Sequence, residues 1–94
     1  MNLQKDSERG YQANELLNNE LFSESINMLR QGIVDKWRET PIRDKEGQHE
    51  LKLMDKVLTD MVNYLKTIIS NGKMADIQLE QEKKLSKLHK AGIR

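Results

Sequence analysis

The chain contains no cysteine. That removes disulfide staples, thiolate metal sites and cysteine nucleophiles together, and it fits a reducing compartment. Aromatic residues make up only 4% of the chain, with one Trp, two Tyr and one Phe, so few rings exist to fill a core or stack on bases. Pro41 is the sole proline, and the five glycines are isolated from one another, which leaves no phosphate-cradling loop. No run approaches the ~20 apolar residues of a membrane span, and the opening MNLQKDSERG lacks an apolar stretch of signal-peptide length. These absences lead to the expectation of a soluble protein that does not enter a membrane.

Ninety-four residues amount to one small domain, 1–94, and a chain of this size buries little more than ~60% of its unfolded surface. With 36% hydrophobic and 33% charged residues, an isolated monomer has few large side chains to offset the entropy of folding. A protein partner or self-association is the expected remedy. Sixteen basic and fifteen acidic side chains nearly cancel, so no global field draws the chain to nucleic acid or anionic lipid. The distribution is uneven: residues 1–40 carry five basic and seven acidic side chains, and residues 73–94 carry six basic and three acidic. The excess of positive charge makes 83–94 a basic tail.

Apolar spacing predicts an all-α chain. Ser7 offers a hydroxyl cap for a short N-terminal helix reaching about Leu17, and Asn18-Asn19 is a poor helix interior but a good cap for the helix after it. From Glu20, Leu21, Phe22, Ile26, Leu29, Ile33, Val34 and Trp37 recur at steps that hold one helical face. Pro41 pushes Thr40 out of the helical region, so this helix ends near Arg38 or Glu39. Asp44 caps a second long helix whose stripe, Leu51, Met54, Val57, Leu58, Met61, Val62, Leu65, Ile68 and Ile69, recurs at three- and four-residue steps, close to heptad spacing for under three heptads. Asn71-Gly72 supplies the left-handed residue that ends helices. The predicted architecture is an antiparallel hairpin of helices about 20–38 and 44–70, a short helix before it, and a polar C-terminal helix about 74–90. The short connection makes the two long helices neighbours, with Trp37 and Ile42 closing the hairpin end.

No constellation specifies a reaction. His49-Glu50 resembles the start of a zinc-protease motif, but that motif needs a second His at position 53, which is Leu. His89 is 40 residues further on, so neither a metal site nor a cofactor is expected. The five serines have no Gly-flanked turn to expose them beside a base, and capping or solvent exposure accounts for them. Lys83, Lys84, Lys87, Lys90 and Arg94 offer phosphate neutralisation, with Lys83, Lys87 and Lys90 on one side of a helix. Against that reading, no aromatic interleaves them, Glu80 and Glu82 precede them, and cations in a last turn are favoured by the helix dipole alone.

The stretch Trp37–Asp44, WRETPIRD, separates the two apolar-periodic segments. In one reading Trp37 plugs the hairpin end while Arg38, Glu39, Arg43 and Asp44 make surface ion pairs of little worth. In the other, Trp37, Arg38, Ile42, Arg43 and Asp44 form an interface anchor, because an aromatic with arginines is the composition of binding hot spots. A thin core that needs its only Trp favours the first.

Three runs, ERGYQANELLNNELFSESI, DKWRETPIRDKEGQHELKLM and LKTIISNGKMADIQLE, carry a resemblance. They resemble a group of small, largely uncharacterised proteins encoded by tailed bacteriophages among their virion structure and DNA-packaging genes. Trp37, Pro41, Arg43, Asp44, Glu46, Gly47, Gly72, Lys73 and Leu79 stand at the positions of that group's pattern, with Ile42 between Pro and Arg where smaller residues are more usual. The resemblance covers roughly residues 8 to 82 and transfers no catalytic residue. It implies a context of phage particle assembly, in the host cytoplasm or the virion. The expected function is therefore non-enzymatic: a minor structural, connector-associated or assembly component acting through protein contacts. The alternatives are a small DNA-binding packaging or regulatory accessory using the basic tail, and an inhibitor that occludes a host defence protein or enzyme.

Overall fold

The computed structural model describes residues 2–90, with the side chain of Lys90 outside that description. Among the described residues the chain is all-α, with helices α1 (Leu3–Asn18), α2 (Glu20–Glu39) and α3 (Lys45–Lys90). They contribute to two compact units, one built from α1 up to Glu15 and α3 from Lys66, the other from residues 16–65.

The first unit starts earlier than its sequence suggests. The Asn2 side-chain oxygen accepts from the Lys5 N–H at 3.1 Å, so Asn2 provides the cap expected of Ser7. Ser7 lies inside α1, where its hydroxyl donates to the Asp76 carboxylate on α3. One turn on, Gly10 meets Gly72 backbone to backbone, and Ala13 and Ala75 are buried beside them. Small side chains let two helices approach closely, here on an interface of glycine and alanine rather than on large apolar groups.

Gly72 is thus not a helix terminus. The expected break at Asn71-Gly72 is absent, and the segments predicted as 44–70 and 74–90 form one uninterrupted helix of 46 residues. The physical reason is in the spacing: Leu58, Leu65, Gly72 and Leu79 continue a seven-residue repeat, as do Met54, Met61, Ile68 and Ala75. Gly72 serves that stripe as its smallest member, and the cost of a mid-helix glycine, ~1 kcal/mol, is offset where α1 packs against it.

The second unit contains the predicted hairpin. Asn19 stands between α1 and α2 with extended backbone, and its side-chain oxygen accepts from the Phe22 N–H at 2.8 Å. Ser23 adds a hydroxyl bond to the Leu17 carbonyl at 2.8 Å, tying the two helix ends across the break. Ile26, Leu51 and Leu58 are the buried apolar residues here, and Phe22, Ile33, Val62 and Leu65 are half-buried. Among the described residues no large side chain is fully buried, and no polar or charged residue is buried. The expected thin core is what the fold has.

Candidate functional site

The connection between α2 and α3 is built by hydrogen bonds. Thr40 takes the extended backbone that Pro41 demands, with φ −75° and ψ 123°. Its N–H donates to the Lys36 and Trp37 carbonyls, and its hydroxyl donates to Lys36 again at 2.7 Å, so the last turn of α2 is satisfied. Asp44 caps α3: its carboxylate accepts from the Gly47 N–H at 2.9 Å, and its carbonyl accepts from Gln48. A Cβ on Gly47 would fall 2.5 Å from an Asp44 carboxylate oxygen, so the absent side chain leaves room for the cap. The Gln48 amide then donates to the Pro41 and Ile42 carbonyls at 3.1 and 3.2 Å, tying the turn to the first turn of α3.

This polar closure replaces the apolar plug expected of Trp37 and Ile42. Trp37 is 57% exposed and Ile42 89% exposed, so neither closes the hairpin end. The expected surface ion pairs are missing too: among the described residues no ion pair joins Arg38, Glu39, Arg43 and Asp44. Asp44 is occupied as a cap, and the arginines are solvated.

Trp37 lies instead along an open groove between α2 and α3, with a volume of about 620 Å³. Ile33 and Val34 continue its apolar wall on α2, and Lys45, Gln48, His49 and Lys52 form the facing wall on α3, with Asp55 at one end. The groove therefore combines an accessible indole with two lysines and an imidazole. It suits an apolar side chain flanked by carboxylates.

Of the residues singled out from sequence, Trp37 lines this groove, while Arg38, Ile42 and Arg43 are exposed without lining it. Asp44 borders a separate hollow with Lys36, Thr40, Gly47 and Glu50. Sequence reasoning misses Lys45, Gln48, His49 and Lys52 as a group. Their three- and four-residue spacing, set against an antiparallel α2, is the signal that could have found them.

Lys83, Lys84 and Lys87 are exposed on the last turns of α3, with Glu80 and Glu82 exposed just before them. Arg94 and the Lys90 side chain lie outside the described residues. Among the described residues no three His, Asp or Glu side chains are grouped to hold a metal, and no helix is long and apolar enough to cross a membrane. Tyr11 on α1 forms a hydrogen bond with Glu15, and this bond, helped by the carboxylate's charge, raises the phenol above its ordinary pKa. Compared with family models, curated proteins and solved structures, the chain matches none.

Proposed function

We propose that the chain is a non-enzymatic helical component of phage particle assembly, acting in the host cytoplasm or the virion by binding another protein through the Trp37 groove. The observation that carries this reading is the exposure of the only tryptophan, at 57%, near the capped end of α2 in a chain whose core is thin. Tryptophan is enriched among residues whose truncation costs ~2 kcal/mol or more in a complex. Arg38, Ile42 and Arg43 extend the same surface beyond the groove, and among the described residues neither arginine is held in an ion pair, which suits them to a partner. Lys45, His49 and Lys52 favour an acidic contact segment on that partner. The phage context is supported by the sequence pattern around Trp37, Pro41, Arg43 and Asp44.

The test is capture of capsid, portal and packaging components by the full chain and by Trp37→Ala. The expected result is retention of one such component by the wild-type chain and at least ~10-fold weaker retention by the variant. No retained component, or equal retention by both, would overturn the reading. DNA binding that falls steeply with salt and disappears when Lys83, Lys84 and Lys87 are neutralised would favour the nucleic-acid alternative instead.

A further inference from the structure

A second face of the hairpin is apolar and uncovered. Leu29 and Ile33 on α2 and Met54, Val57, Leu58 and Met61 on α3 belong to a groove whose wall has no polar atom. Leu21 and Met28 continue the apolar surface along α2, and Val57 and Met28 are each 68% exposed. Together these side chains leave in water an apolar area on the order of 700 Å², close to the ~800 Å² that each partner contributes to a standard stable interface. An exposed apolar surface of this size marks an association site in a soluble chain.

From this face we infer that a second copy of the chain packs here about a two-fold axis, so that two hairpins form a four-helix bundle. The inference rests on the reading of this chain as one that works through protein contacts, but it concerns a different face from the Trp37 groove. Three observations favour a second copy over another occupant. The area matches one half of a stable dimer. The groove from Leu29 to Met61 has no polar atom, and the charges that border the face are of both signs, Glu24 beside Met28 and Lys36 and Glu50 beside Gly32, so a two-fold axis sets the apolar patch on its own equivalent. The spacing also fits, because Leu21, Ser25, Met28 and Gly32 repeat at four- and three-residue steps, as bundle-packing helices do.

Gly32 supplies the register. It stands inside α2, where glycine weakens a helix, and a Cβ added there meets nothing within 4 Å. No contact among the described residues requires it. In antiparallel α2–α2 contact centred between residues 28 and 32, Met28 of each copy lies over Gly32 of the other, and the missing side chain makes the room. The pairing is reciprocal, as a two-fold interface requires.

The experiment is light-scattering mass of the full chain from low micromolar to several hundred micromolar, with helix content followed by circular dichroism. The expected mass rises from 11.0 kDa to twice that value. Val57→Glu and Gly32→Leu, both at positions open to solvent in the single chain, should keep the helix content and weaken association at least tenfold. Leu85→Glu, exposed and outside both binding surfaces, should leave association unchanged. A mass fixed at that of one chain, a mass above two chains, or variants that associate like the wild type would each overturn the proposal. A monomer that still captures a virion component through Trp37 would overturn this inference and leave the proposed function standing. A dimer that captures none would do the reverse.

Discussion

Gly10 on α1 and Gly72 on α3 touch backbone to backbone: a Cβ on either would lie 2.8 Å from the Cα of the other. At Gly10 the added carbon would also meet the Ile68 carbonyl at 3.2 Å, and at Gly72 the Asp6 carbonyl at 3.1 Å. Backbone atoms cannot swing aside as a side-chain end can, so an alanine at either position forces the helices apart. The overpacking cost of ~1–3 kcal/mol opposes the ~1 kcal/mol gained by replacing glycine in a helix. Gly10→Ala and Gly72→Ala should therefore each lower the urea midpoint, and the double variant should lose less than the two single losses combined, because the first displacement relieves the second. A Gly72→Ala chain more stable than wild type would show that the contact does not hold α1.

That contact also explains which parts of the fold are legible in the sequence. The break at Asn19, the end of α2 before Pro41 and the cap at Asp44 arise from local chemistry, and each is where the local signals place it. Gly72 has the same local signature as a helix terminus, yet what decides its role is Gly10, 62 positions away, and local patterning has no access to that. Trp37 misleads for a related reason. A rare large aromatic suggests a core, but Gln48 closes the turn with polar bonds and leaves the indole on the groove wall. The groove itself needs the antiparallel register of α2 and α3 before Lys45, His49 and Lys52 can be grouped.

The Asp44 cap should be measurable by itself. Asp44→Ala removes the acceptor for the Gly47 N–H and should cost about 1 kcal/mol in thermal or urea unfolding. Gly47→Ala crowds the same carboxylate from the other side, so it should fail to deliver the usual ~1 kcal/mol benefit of replacing a helical glycine. In an Asp44→Ala background, Gly47→Ala should become stabilising, since the obstructing group is gone. Additive effects of the two substitutions would refute the steric coupling.

Trp37 reports on its own surroundings, because it is the only tryptophan. At 57% exposure its emission should be red-shifted and readily quenched by acrylamide in the unpartnered chain. Trp37→Ala should cost well under the ~3–5 kcal/mol of a buried tryptophan. A blue-shifted, protected emission in dilute monomer would contradict the exposed placement, whereas the same shift appearing only on addition of a captured partner would report occupation of the groove.

Tyr11 gives a prediction in pH. Its neutral phenol makes a hydrogen bond with Glu15, and the phenolate would face that carboxylate, so ionisation is harder in the folded chain than at the ordinary value of 10.0. The folded pKa is raised, so the bond's contribution to stability is fully present below the ordinary phenol value and is lost as pH rises through the raised one. In a Tyr64→Phe background, where Tyr11 is the only tyrosine, phenolate absorbance should show a midpoint above the ordinary value. Glu15→Gln removes the charge and weakens the acceptor, and should move that midpoint downward. Because the phenol is solvated, added salt should narrow the difference by screening the carboxylate, leaving the part due to the hydrogen bond. Equal midpoints with and without the Glu15 carboxylate at low salt would remove Glu15 as the cause.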